Sequence, residues 1–175
     1  MSGRDFILRY FRKCGFTIIE LVIVVSILGV LTALAIPAYS RHVSGYKLYT
    51  AARQMVGEIR EAQQRAVAEE KASYYIIFNT DQSRVNEKDC YIVKDNMENV
   101  KKIELDGAVN LYETNFIKSG SSHRLGFSAN GRPLDRGGRV ALEDKYGNVY
   151  YVIVAVNTGR VRIDKVEPPG SEIGL

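Results

Sequence analysis

The chain is 175 residues long, 46% apolar and 25% charged, with a formal net charge of +4 at neutral pH. That length holds one modest domain plus an appendage, and the ordinary apolar and charged shares exclude wholesale disorder. Arg4, Arg9, Arg12 and Lys13 against Asp5 supply most of the positive excess before residue 16, so the basic balance by itself points to no nucleic-acid partner.

After this basic start, Phe16 to Ile36 is an apolar run of 21 residues, about 31 Å of helix at 1.5 Å per residue and close to the thickness of a hydrocarbon core. The basic residues ahead of it predict a cytoplasmic N-terminus, with the bulk of the chain on the other side of the membrane. Cys14 does not read as a lipidation site, because Arg12 and Lys13 precede it and the apolar run follows it. Two processing schemes fit. One is a secretory signal cut at Ala33-Leu34-Ala35, which would release a β-rich enzyme or binding protein. The other is a cut between Gly15 and Phe16 that keeps the apolar helix. Glu20 favours the second. A carboxylate in a spanning helix costs about 2.5–3.5 kcal/mol at its centre and less near an end. A signal sequence gains nothing from it. A helix that begins at Phe16 places a new α-ammonium one turn away, where an amine, its own or a neighbour's, offsets the burial of the charge. The helix N-terminus also favours an anion.

Gly15-Phe16-Thr17-Ile18-Ile19-Glu20-Leu21, with the long apolar helix and Pro37 behind it, resembles the class III signal of type IV pilins and type II secretion pseudopilins. The resemblance implies cleavage after Gly15 by a membrane-embedded prepilin peptidase and N-methylation of Phe16. It also implies that Glu20 meets the terminal amine of a neighbouring subunit in a filament.

Pro37 cannot donate a backbone hydrogen bond and predicts a kink or a loosening of the helix. Beyond it Leu48, Ala52, Met55, Val56, Ile59, Ala62 or Gln63, Ala66 and Val67 recur at three- and four-residue steps, with Arg53, Arg60, Glu61, Arg65 and Glu69 mostly off that face. This is an amphipathic extension over 37–70, with Glu61 and Arg65 as an i,i+4 pair. Over 71–166 the pattern becomes one of strands: 73–78, 90–93, 102–105, 108–112, 124–128, 139–143, 148–156 and 160–166. Asn130-Gly131 and Asn157-Thr158-Gly159 mark turns, the second closing a final hairpin. Short strands with tight turns predict an α+β fold, a long N-terminal α-helix packed on antiparallel sheet, in two sheets. Residues 167–175 read as an extended or mobile tail.

FSANGRPLDRGGRVALEDKYGNVYYVIVAVNTGRVRI is similar to the end of the H-type minor pseudopilin family, also called GspH/FimT-like, through Phe127, Gly131, Arg132, Gly147, Gly159 and Arg160. Residues 79–122 match that pattern poorly. The family fold, a helix carrying two antiparallel sheets, agrees with the strand reading.

No P-loop, G-x-S-x-G, H-E-x-x-H or G-x-G-x-x-G is present, so no enzyme, cofactor or metal is expected. His42 and His123 read as surface residues, and Cys90 as an unbridged thiol half-buried on a strand. Asp144-Lys145-Tyr146-Gly147-Asn148 reads as a hairpin turn and not a calcium loop, because carboxylates are few. The eleven tyrosines are explained by sheet packing. Arg132, Arg136, Arg139, Arg160 and Arg162 form a candidate patch for an anionic partner if the hairpins adjoin. The interleaved Asp135, Glu143, Asp144 and Asp164, with Glu167 and Glu172 in the tail, argue against DNA.

Together these readings describe a minor pseudopilin, a structural subunit for protein export, with a minor type IV pilin in pilus biogenesis, twitching or DNA uptake as the rival. Its expected partners are prepilin peptidase, other pilins or pseudopilins, the lipid bilayer and secreted cargo. Its expected place is the bacterial inner membrane, single-pass with a periplasmic β domain, and then a filament.

Overall fold

The computed structural model describes residues 16–79, 89–96, 98–120 and 122–167. The leader with Cys14 and Gly15, and the tail from residue 168 with Glu172, lie outside the described residues. The chain divides into two compact units at the boundary between Ser40 and Arg41.

One helix, α1 (Ile18–Ala68), runs through both units and continues as helix through Pro37. Thr17 caps its start: the Thr17 Oγ1 accepts the Glu20 N–H at 3.2 Å, and the Thr17 carbonyl accepts the Leu21 N–H at 3.2 Å. Its end is a Schellman turn, with Glu70 at φ 51, its N–H donating to the Val67 carbonyl, and the Lys71 N–H donating to the Ala66 carbonyl.

In the second unit nine strands follow among the described residues: β1 (Tyr74–Asn79), β2 (Cys90–Asp95), β3 (Glu98–Glu104), β4 (Val109–Thr114), β5 (Ile117–Ser119), β6 (Ser122–Gly126), β7 (Gly138–Asp144), β8 (Val149–Val154) and β9 (Val161–Asp164). They form two antiparallel sheets, of order β3-β2-β1-β6-β5 and β4-β7-β8-β9. The α+β expectation, one long helix with two antiparallel sheets, therefore holds.

Period-two alternation sorts the side chains. Tyr74, Ile76 and Phe78 on β1, Tyr91 and Val93 on β2, and Leu125 on β6 face inward from the first sheet. From the second come Val140 and Leu142 on β7, Val152 and Val154 on β8, and Val161 on β9. Leu48, Ala52, Met55, Val56, Ile59, Ala62 and Ala66 of α1 meet both sets in one continuous core. Phe78 stacks on Phe116 at 5.3 Å between ring centroids.

Several boundaries move. β3 begins at Glu98, four residues before the expected start, because ladder pairing with β2 and not burial makes a strand of exposed residues there. β5 is absent from the strand pattern of the sequence; its three residues pair with β6 in a hairpin whose glycine and serines read as loop. Val67 is exposed, so the apolar face ends at Ala66. Cys90 is buried at 6% exposure, not half-buried, and His123 on β6 is half-buried, not a surface residue. Burial, with Lys118 nearby, lowers the His123 pKa from its ordinary value.

Candidate functional site

Every side chain from Phe16 to Ile36 is exposed, and apolar residues project all round the helix. A surface helix of a globular domain shows one apolar stripe; a helix apolar on every side requires a nonpolar surrounding. The Ser26 and Thr32 hydroxyls in the stretch are already satisfied: the Ser26 hydroxyl donates to the Val22 carbonyl at 2.7 Å, and the Thr32 hydroxyl donates to the Leu28 carbonyl at 2.8 Å. Glu20 is the one ionisable side chain between residues 16 and 36. It sits at the third helical position after the Thr17 cap. Thr17-Ile18-Ile19-Glu20 thus has capping-box spacing, a signal present in the sequence that the motif reading passed over. A carboxylate there is favoured locally by the helix dipole.

The family model for the prokaryotic N-terminal methylation motif matches residues 10–36. The N-terminal segment is type IV pilin-like. This motif implies processing by prepilin peptidase and assembly with other pilins, and it suits a membrane anchor that becomes part of a filament. Two crystal structures of the type IV minor pilin FimU from Pseudomonas aeruginosa PAO1, in space groups P65 and P21, each align with a TM-score of 0.49. They are 14% and 15% identical, over 72% of this chain and 96% and 91% of theirs. No curated protein matches the chain in sequence.

The candidate arginines are brought partly together. Register across β7, β8 and β9 puts Arg139, Ile153 and Arg162 in one row, and Arg160 lies two residues before Arg162. Arg132 and Arg160 each follow a glycine, and those two turns touch: a Cβ built on Gly159 would lie 2.4 Å from the Gly131 carbonyl oxygen. The Gln63 amide of α1 ties them, donating to the Gly131 carbonyl at 2.7 Å and the Gly159 carbonyl at 3.3 Å. This clamp explains the two glycines of the Gly-Arg turns, and in the sequence Gln63 shows only as an alternative position on the apolar face. Arg139 is neutralised. Its side chain is 12% exposed, pairs with Glu113 at 3.6 Å and with Glu167, and lies 5.8 Å from the Tyr151 ring centroid. Arg136 is exposed between β6 and β7. Asp135 is held by Arg124 at 3.7 Å.

The Asp144–Asn148 segment is the β7–β8 turn. Asp144 is 3% exposed and spends both oxygens on it, accepting the Tyr146 and Asn148 N–H groups at 2.9 Å each on Oδ1 and the Asn148 amide at 2.9 Å on Oδ2. Gly147 supplies the positive φ of 79. Burial pushes the Asp144 pKa up, but the donations from Asn148 and Tyr146 outweigh it and hold the carboxyl below its ordinary value. Glu58, 8% exposed on α1, is paired with Lys101 of β3. The Tyr91 hydroxyl is buried, and burial raises its pKa. Glu58 and Tyr91 lie within the packed core and the helix–sheet contact, where they serve the fold.

Proposed function

We propose that the chain is a non-enzymatic, membrane-anchored structural subunit of a type IV filament-like machine, and specifically a minor pseudopilin acting in protein export. Prepilin peptidase cuts between Gly15 and Phe16, and Phe16 becomes N-methylated. The apolar helix stores the subunit in the bacterial inner membrane, with its N-terminus cytoplasmic and the β domain periplasmic. On assembly Glu20 meets the α-ammonium of a neighbouring Phe16, and the helix moves from lipid into the filament core. The β domain presents a surface to other minor subunits or to secreted cargo. The observation that carries this reading is a lone carboxylate in an otherwise apolar, fully exposed helix whose hydroxyls need no water. The narrower assignment to secretion rests on the Gly-Arg turn pattern of the C-terminal half.

Mass spectrometry of the mature protein tests the reading. A chain beginning at methylated Phe16 is expected. A chain beginning near Ile36 would mean release by signal peptidase and would overturn it. Co-purification with a set of pseudopilins is expected under the secretion assignment, whereas co-purification with a major pilin would reassign the chain to a pilus.

A further inference from the structure

A groove of about 740 Å³ opens in the second unit where the start of its helical segment, the β7–β8 turn and the residues after β9 converge. Its walls are chiefly tyrosine and cation. Tyr49 and Tyr150 pack with ring centroids 5.7 Å apart, and Tyr46 is 69% exposed beside them. Lys165 places its ammonium 5.4 Å from the Tyr150 ring centroid. Arg41 holds its guanidinium 5.9 Å from the Tyr146 ring centroid. Arg41 and Lys165 form no ion pair among the described residues, whereas Glu167 at the lip is already engaged by Arg139.

Two cations with no ion pair among the described residues, presented by aromatic walls, suit a phosphate ester whose alcohol packs on tyrosine rings. The sequence says where such a ligand would be met. Arg41 comes five residues after Ile36, the end of the apolar run. A chain that leaves the hydrocarbon layer at Ile36 enters the headgroup zone, roughly 5–8 Å deep, where tyrosine rings are favoured and lysine and arginine meet phosphates.

We infer that this groove binds the phosphodiester of a membrane phospholipid headgroup, with Arg41 and Lys165 on the phosphate and Tyr46, Tyr49 and Tyr150 against the headgroup alcohol. The inference rests on the membrane-anchored reading above. It adds a polar hold on the stored subunit that must be released on extraction.

The test uses the full chain in maltoside micelles titrated with phosphatidylglycerol, with bound lipid counted by native mass spectrometry. The unaltered chain and an Arg132→Gln/Arg160→Gln control, which loses the same charge elsewhere, are expected to take up one lipid with equal affinity. Arg41→Gln/Lys165→Gln should bind at least about tenfold more weakly, as expected for losing charge-assisted bonds to phosphate. The swap Arg41→Lys/Lys165→Arg should stay within about threefold, separating loss of charge from loss of fold. Equal binding by all variants, or by none, would overturn the site. Displacement by glycerol 3-phosphate at concentrations comparable to the lipid would overturn the lipid as ligand and leave a soluble phosphate ester. Alkaline carbonate extraction of membranes separates the two failures. Release of the chain removes the anchoring reading, whereas retention with uniform lipid binding removes only the groove.

Discussion

The two halves of α1 are built on opposite principles. From Ile18 to Ser40 no side chain is buried within the chain, and aliphatic residues face every direction. From Arg41 to Ala68 one face is buried to near completion, and the other carries Arg53, Arg60, Glu61 and Arg65 in solvent. The second half draws its stability from burial against two sheets, since helix propensity alone is marginal in water. The first half buries nothing within the chain, and under the proposed function its stability comes from lipid and then from copies of similar helices. A carboxylate therefore means different things in each. Glu58 is neutralised inside the molecule by Lys101, whereas under the proposed function the charge that meets Glu20 comes from another molecule.

That contrast can be broken by substitution. Ile59→Ala removes a fully buried side chain and should lower unfolding stability by about 3–4 kcal/mol, whereas Ile27→Ala should change it by less than about 0.5 kcal/mol. Denaturant unfolding of the full chain in detergent, followed by tyrosine near-ultraviolet dichroism, reads both. Equal losses would mean that the halves do not differ as described. Gly159→Ala should cost about 2–3 kcal/mol, since its φ of +66 disfavours a side chain and the new Cβ would press on the Gly131 carbonyl beneath the Gln63 clamp. Asp144→Asn should cost about 2 kcal/mol at pH 7. The folded pKa of Asp144 is depressed, so its contribution is complete above the ordinary carboxylate pKa near 4 and is lost as pH falls through the folded value. The gap between the two proteins should close below about pH 4 in urea titrations. A gap independent of pH would assign the cost to packing alone.

The sequence made the helix legible because periodicity and charge both report locally. Leu48 through Ala66 repeat at helical spacing, and Glu20 stands out in an apolar run. The last hairpin was legible for the same reason, with Asn157-Thr158-Gly159 between two β-branched segments. What could not be read were features made by residues distant in sequence. The chain alternates between sheets, β3 in one, β4 in the other and β5 back again, and no local pattern states a partner. The exposed Glu98–Lys102 stretch is strand only because β2 lies beside it. Gln63 looks like an interruption of the apolar face until Gly131 and Gly159 meet over it. The turns bring Arg132 and Arg160 near one another, but the capture of Arg139 by Glu113 and Glu167 depends on strand register.

Under the proposed function Glu20 is kept for its charge, which a neighbouring subunit neutralises. Thr17-Ile18-Ile19-Glu20 offers a competing local use, a capping box, and glutamine serves that use as well as glutamate does. The direct measurement is filament incorporation of full-length Glu20→Gln beside the unaltered chain, with the mature N-terminus checked in both. Normal processing at Phe16 and incorporation reduced at least about tenfold are expected, because a buried amine would be left without its partner. Incorporation at the unaltered level would contradict that role and leave Glu20 as a helix cap.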